Sequence, residues 1–144
     1  MDLELSSAPR FQPSANRPLI LVVEDNEDNL MLLLHVLDLF GFSCISTQEG
    51  RAVFNLARDY QPDLILLDVV LPGLSGLEVI PALKQDPATA SIPIIAVTAL
   101  AKQEDRERLL QMGCDDYLDK PYDLSELEAM VHHHLSQLRM PSAS

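Results

Sequence analysis

Pro62-Asp63-Leu64-Ile65-Leu66-Leu67-Asp68-Val69-Val70-Leu71-Pro72-Gly73 decides the fold. An unbroken apolar run ends on a carboxylate, and Leu71-Pro72-Gly73 then breaks the chain. Apolar side chains without alternation predict a strand buried on both faces, as in a parallel sheet covered by helices. Asp68 stands at the carboxyl end of that strand, where open α/β sheets place their ligand crevice.

Two further runs repeat the pattern. Leu19-Ile20-Leu21-Val22-Val23 leads straight into Glu24-Asp25-Asn26, and Ile92-Pro93-Ile94-Ile95-Ala96-Val97 ends at Thr98-Ala99. Shorter strands are expected near Ser43–Ser46 and Asp116–Leu118, the latter followed by Asp119-Lys120-Pro121. Helices are expected between them. The first covers about Glu27 to Phe40 and stops at Gly41, and the second runs from about Glu49 to Tyr60. The third runs from a cap at Ser75 to about Gln85, with Pro81 as an internal conflict, because proline removes a helical hydrogen bond. A charged fourth helix covers about Lys102 to Met112. The last opens at Asp123 with Glu126 three residues on, a capping box. Five βα units joined by right-handed crossovers give an α/β, doubly wound parallel sheet. Its expected strand order is the flavodoxin-like 2-1-3-4-5.

With 144 residues, 47% of them apolar, the chain is sized for one domain with a real core. Residues 1–17, rich in Ser, Pro and Ala, are expected to be a flexible arm, 18–138 the domain, and 139–144 a short tail. The formal charge of −12 speaks against direct nucleic-acid binding, which needs basic stripes on phosphate. No apolar run reaches the length of a membrane helix, and the acidic N-terminus does not suit a signal peptide. Cys44 and Cys114 have no CxxC spacing and read as two reduced thiols, consistent with a cytoplasmic protein.

The strand ends bring together Glu24, Asp25, Asp68, Thr98 and Lys120. Converging carboxylates repel one another. A divalent cation removes that conflict, and hard oxygen donors select Mg²⁺ or Mn²⁺. A carboxylate beside a metal, an ammonium and a hydroxyl is suited to phosphoryl transfer, with Asp68 as nucleophile.

At these residues the chain resembles the receiver domain of two-component response regulators. The matching stretches are Leu21-Val22-Val23-Glu24-Asp25-Asn26, Leu66-Leu67-Asp68 with Leu71-Pro72-Gly73 and Gly76, Ala96-Val97-Thr98-Ala99, and Asp119-Lys120-Pro121. The resemblance implies that Asp68 accepts phosphate from a phosphohistidine of a sensor histidine kinase or histidine-phosphotransfer protein. It also implies that Asp25, Asp68 and the Val70 carbonyl ligate the metal, with Glu24 acting through water. Thr98 and Tyr117 would be the switch pair, and Lys120-Pro121 would be cis. Such a domain catalyses only its own phosphorylation and self-dephosphorylation. The few residues after the last helix suggest a stand-alone regulator that signals through a downstream protein target.

On the first helix, Leu30, Leu33, Leu34 and Leu37 are expected to face the sheet. Asn29, Leu32, Val36 and Leu39 fall roughly opposite, an apolar stripe suited to docking the phosphodonor. Consecutive His132-His133-His134 cannot converge on one ion and read as a surface run. The charges from Lys102 to Arg108 read as a solvated face that could also meet a partner. Val70 and Leu100, two residues after Asp68 and Thr98, stand where polar groups in receivers position an attacking water. Two apolar groups predict slow dephosphorylation. Three rivals share parts of the pattern. A Mg²⁺-dependent aspartyl-phosphate phosphatase would want an acid where Val70 stands. A flavin-type binder would not place Glu24-Asp25-Asn26-Glu27 against phosphate. The third is a receiver-fold interaction module that is never phosphorylated.

Overall fold

The computed structural model describes residues 17–69, 76–99 and 103–139. The calls on residues 1–16, Val70, Ser75, Leu100 and 140–144 lie outside them. Among the described residues, five strands alternate with five helices: β1 Leu19–Val23, α1 Glu27–Leu39, β2 Ser43–Thr47, a 3₁₀ turn Gly50–Ala52 running into α2 Val53–Tyr60, β3 Leu64–Asp68, α3 Gly76–Gln85, β4 Ile94–Thr98, α4 Gln103–Gln111, β5 Asp116–Asp119 and α5 Leu124–Arg139. All pairings are parallel, in the order β2-β1-β3-β4-β5. The expected topology is the one observed.

Alternation along the central strands sorts the core into two layers. Leu21, Val23, Ile65, Leu67, Ile94 and Ala96 pack with Val53, Ala57, Val79, Ile80, Leu83 and Leu109 of α2, α3 and α4. Ile20, Val22, Leu64, Leu66, Ile95 and Val97 pack with Leu30, Leu33, Leu37, Leu127, Val131 and Leu135 of α1 and α5. Each central strand is thus apolar up to its carboxyl end, where β3 closes on Asp68 and β4 on Thr98, because it faces a helical layer on both sides.

Local chemistry sets the element ends. The Asn26 side chain caps α1 by accepting from Asn29 N. Asp123 and Glu126 form the capping box of α5, the Glu126 N–H donating to Asp123 Oδ1 at 2.8 Å and the Asp123 N–H to Glu126 Oε1 at 3.3 Å. Pro81 lies inside α3 without ending it. Val79, Ile80 and Leu83 are buried beside it, and their burial outweighs one lost backbone bond. β4 begins at Ile94 rather than at Ile92, because Pro93 has no N–H for a ladder.

The reading of α1 needs one correction. Val36 is 6% exposed and belongs to the core, so it is not part of an outward stripe. The helix lies over both β1 and the edge strand β2, which buries an arc wide enough to include it. Leu34, expected to face the sheet, is only half-buried.

Candidate active site

Parallel strands in register place their carboxyl ends on one edge of the sheet. β1 therefore delivers Glu24 and Asp25, β3 delivers Asp68, and β4 delivers Thr98. β5 delivers Lys120, whose backbone N–H donates to the Thr98 carbonyl at 2.8 Å. The expected residues meet: one carboxylate oxygen from each of Glu24, Asp25 and Asp68 lies within 4.8 Å of the others. Glu24 and Asp68 are only 3% and 5% exposed, Thr98 is fully buried, and Asp25 faces solvent.

One cation organises this cluster. Lys120 Nζ donates to Glu24 Oε1 and to Asp68 Oδ2, both at 3.2 Å. Glu24 Oε2 accepts from the Asn26 N–H at 3.1 Å, which orients the carboxylate. Burial pushes the Glu24 carboxyl above the usual range; Asp68 adds to the rise, while the Asn26 N–H and Lys120 oppose it. Burial alone would lower the Lys120 ammonium, but Asp68 and Glu24 together raise it above its ordinary value. Lys120 is thus held charged against carboxylates whose charge it only partly offsets. Nearby, desolvation raises the Tyr122 phenol.

The Lys120-Pro121 bond is cis, as the resemblance implied. Tyr117 is half-buried on β5, two register positions from Thr98: Ala96 pairs with Tyr117 and Thr98 with Asp119. On α1, Asn29 and Leu32 are exposed, together with Met31 and Leu39. Among the described residues, no other group of carboxylates, histidines and thiols has a metal-binding arrangement. His132, His133 and His134 do not converge. His134 turns in to Asp116, with Nε2 3.0 Å from Oδ2, so the run is not uniformly a surface feature.

Sequence reasoning missed Arg106. It sits within the charged α4 run but pairs with Asp119 on β5 at 2.7 Å. No periodicity signals such a contact, because it joins a helix to a strand that follows it.

Buried carboxylates at the ends of β1 and β3, bridged by a lysine from β5, are a specific pattern to compare with known proteins. The family model for the response regulator receiver domain matches residues 20–132. This chain belongs to the response regulator receiver family. It is similar to the polar-differentiation response regulator DivK of Brucella anthropi, with 41% identity over 116 residues, covering 81% of this chain and 94% of that one. DivK of Brucella abortus matches to the same extent. Among solved structures, it resembles the receiver domain of sensor histidine kinase PA1611 from Pseudomonas aeruginosa, described with a magnesium ion in its active-site cleft. The TM-score is 0.78 at 33% identity, over 83% of this chain and 98% of that one. The signal receiver domain of a histidine kinase from Syntrophus aciditrophicus gives 0.79 at 32% identity, over 87% and 96%. The phosphatase, flavin-binder and unphosphorylated-module readings gain no support from these matches. The chain is a response-regulator receiver domain of two-component signalling, and its acidic cluster is suited to a divalent cation. None of the described helices is long and apolar enough to cross a membrane.

Proposed function

We propose that Asp68 is the phosphoacceptor of a cytoplasmic, stand-alone response regulator. The observation that supports it most is the buried Asp68 carboxylate, joined to Glu24 by Lys120 at the mouth of the strand-end crevice. An Asp68 oxygen attacks the phosphorus of a phosphohistidine. The P–N bond breaks as the P–O bond forms, and the imidazole leaves with the electron pair and takes up a proton. The product is an acyl phosphate.

The chain's own groups manage the charge. Lys120, already within 3.2 Å of Asp68, is placed to pair with a phosphoryl oxygen. Thr98, on the neighbouring strand, offers a hydroxyl to another. Three carboxylates against one ammonium leave the cluster net negative, and Glu24 is held above its usual range. Hard oxygen donors in that electrostatic state fit Mg²⁺ or Mn²⁺. Asp25, Asp68 and the Val70 carbonyl would hold the ion, with Glu24 acting through water, and it would neutralise charge on the transferred group.

Phosphorylation then shifts an equilibrium between two arrangements of Thr98 and Tyr117 that a downstream protein target distinguishes. The donor is a sensor histidine kinase or a histidine-phosphotransfer protein, docked on exposed Asn29 and Leu32 of α1. The protein acts on itself and turns over no separate substrate. Intact-mass measurement after incubation with Mg²⁺ and acetyl phosphate tests the reading. Wild type is expected to gain one phosphoryl group and Asp68→Asn none. If neither acetyl phosphate nor a phosphorylated histidine-phosphotransfer protein labels the wild type, Asp68 is not an acceptor.

A further inference from the structure

β5, which carries Tyr117 and leads into Lys120, is gripped from both layers by polar side chains. From α5, His134 reaches Asp116. From α4, Arg106 Nη2 donates to Asp119 Oδ2 at 2.7 Å, and the same guanidinium lies over the Tyr117 ring, its Cζ 5.4 Å from the centroid. Tyr117 and Asp119 are two apart on a strand and share a face, so one guanidinium spans both. Asp119 precedes Lys120 in the chain and is the register partner of Thr98. A single side chain of α4 thus touches the switch ring and the residue that sets the position of the active-site lysine.

The contact is made at partial capacity. Arg106 Nε and Asp119 Oδ1 are buried without a hydrogen-bond partner among the described residues, whereas a forked Arg–carboxylate pair engages both oxygens. Buried polar atoms left unmatched oppose the gain from the bond that is made. Such a tie holds one arrangement without locking it.

We infer that Arg106 is a positioning residue that holds Tyr117 and the Asp119–Lys120 end of β5 in the unphosphorylated arrangement. It touches no reacting atom. It acts on Tyr117 directly and on Lys120 through Asp119. The inference rests on Asp68 being the acceptor and Tyr117 the switch ring. A contact made in only one of two states sets their populations, so removing it must tighten binding of whatever selects the other state.

The probe is beryllofluoride with Mg²⁺, a non-covalent stand-in for the phosphoryl group on Asp68, titrated against the full chain by calorimetry. Arg106→Met keeps the stem and loses the charge and the donors. It is expected to bind the probe about fivefold more tightly than wild type, the scale of a partly exposed cation–π contact and ion pair. Arg106→Lys, which keeps the charge but not the fork, is expected to fall between and serves if the Met variant does not fold. Simple loss of a positive charge near an anion site would weaken binding instead, so the sign is diagnostic. Unchanged or weaker binding by the variants overturns the inference, and a lowered unfolding midpoint with wild-type affinity does so too, leaving Arg106 purely structural. If wild type itself binds no beryllofluoride, the acceptor reading has failed, and this inference falls with it.

Discussion

Replacing Lys120 with methionine tests how the acidic crevice is held together. The ammonium lies 3.2 Å from each of two carboxylates. At an effective dielectric constant of about 20, each attraction is gross about 5 kcal/mol. Most of that offsets the desolvation of the three groups. Breaking a buried pair by removing one partner costs about 3–5 kcal/mol. The Lys120 side chain is 27% exposed, so screening lowers the expected loss to about 2–3 kcal/mol. For a domain of this size that is a fall in melting temperature of roughly 6–12 °C. The loss has a pH signature. The Glu24 pKa is raised in the folded protein, so its contribution to stability is full below the unfolded carboxylate value and is lost as pH rises through the folded one. Without Lys120 the folded value rises further, and the deficit of the variant is largest at neutral pH and shrinks as Glu24 protonates. A divalent cation at the same carboxylates should shrink it as well. Urea denaturation of both proteins, near neutral and mildly acidic pH and with and without Mg²⁺, measures all of this. A methionine variant as stable as wild type at neutral pH without metal would refute the reasoning. A deficit indifferent to both acid and Mg²⁺ would refute it equally.

On α1, Leu32→Glu and Leu39→Glu change side chains that are 56% and 69% exposed. Both should leave thermal stability within about 0.5 kcal/mol. They should slow phosphate exchange with a histidine-phosphotransfer protein while labelling by acetyl phosphate is unchanged. Val36→Ala, by contrast, should cost about 2 kcal/mol in denaturant unfolding, since its methyl groups are in the core. Val70→Asn combined with Leu100→Glu should speed decay of the phosphorylated form by at least about tenfold if polar groups there position water. An unchanged decay rate by intact mass removes that explanation. The Cys114 thiol is pushed up to about 11 by burial and hydrogen-bonds to the Asp116 carbonyl at 2.6 Å. At about pH 8 little of it is thiolate, so a thiol reagent should label half-buried Cys44 in the native protein and Cys114 only on unfolding.

Most of the fold is visible in the chain because strands buried on both faces leave a simple mark. Leu19–Val23 and Leu64–Asp68 have nearly no polar residue until the final carboxylate, and parallel register then fixes where the carboxylates gather. Glu24, Asp25, Asp68 and Thr98 were legible for the same reason, each closing or following an apolar run, whereas Lys120 follows the mixed strand Asp116–Asp119. What was hidden depends on angles between elements. Val36 lies within the buried arc of α1 because that helix spans two strands, and periodicity alone does not give the width of the arc. Arg106 and His134 each sit among charged or polar neighbours, and only packing shows that they reach β5. Pro81 signalled a broken helix that burial of its neighbours overrode.

The Lys120–Glu24 contact joins residues 96 positions apart in the chain. The carboxylates belong to the first half of the sequence, and the cation that balances them arrives with the last strand. A chain cut short, or one whose outer strand has come away, would keep its acids and lose the ammonium that pairs with them. If Asp68 is the acceptor, competence to take the signal is a property of the complete sheet.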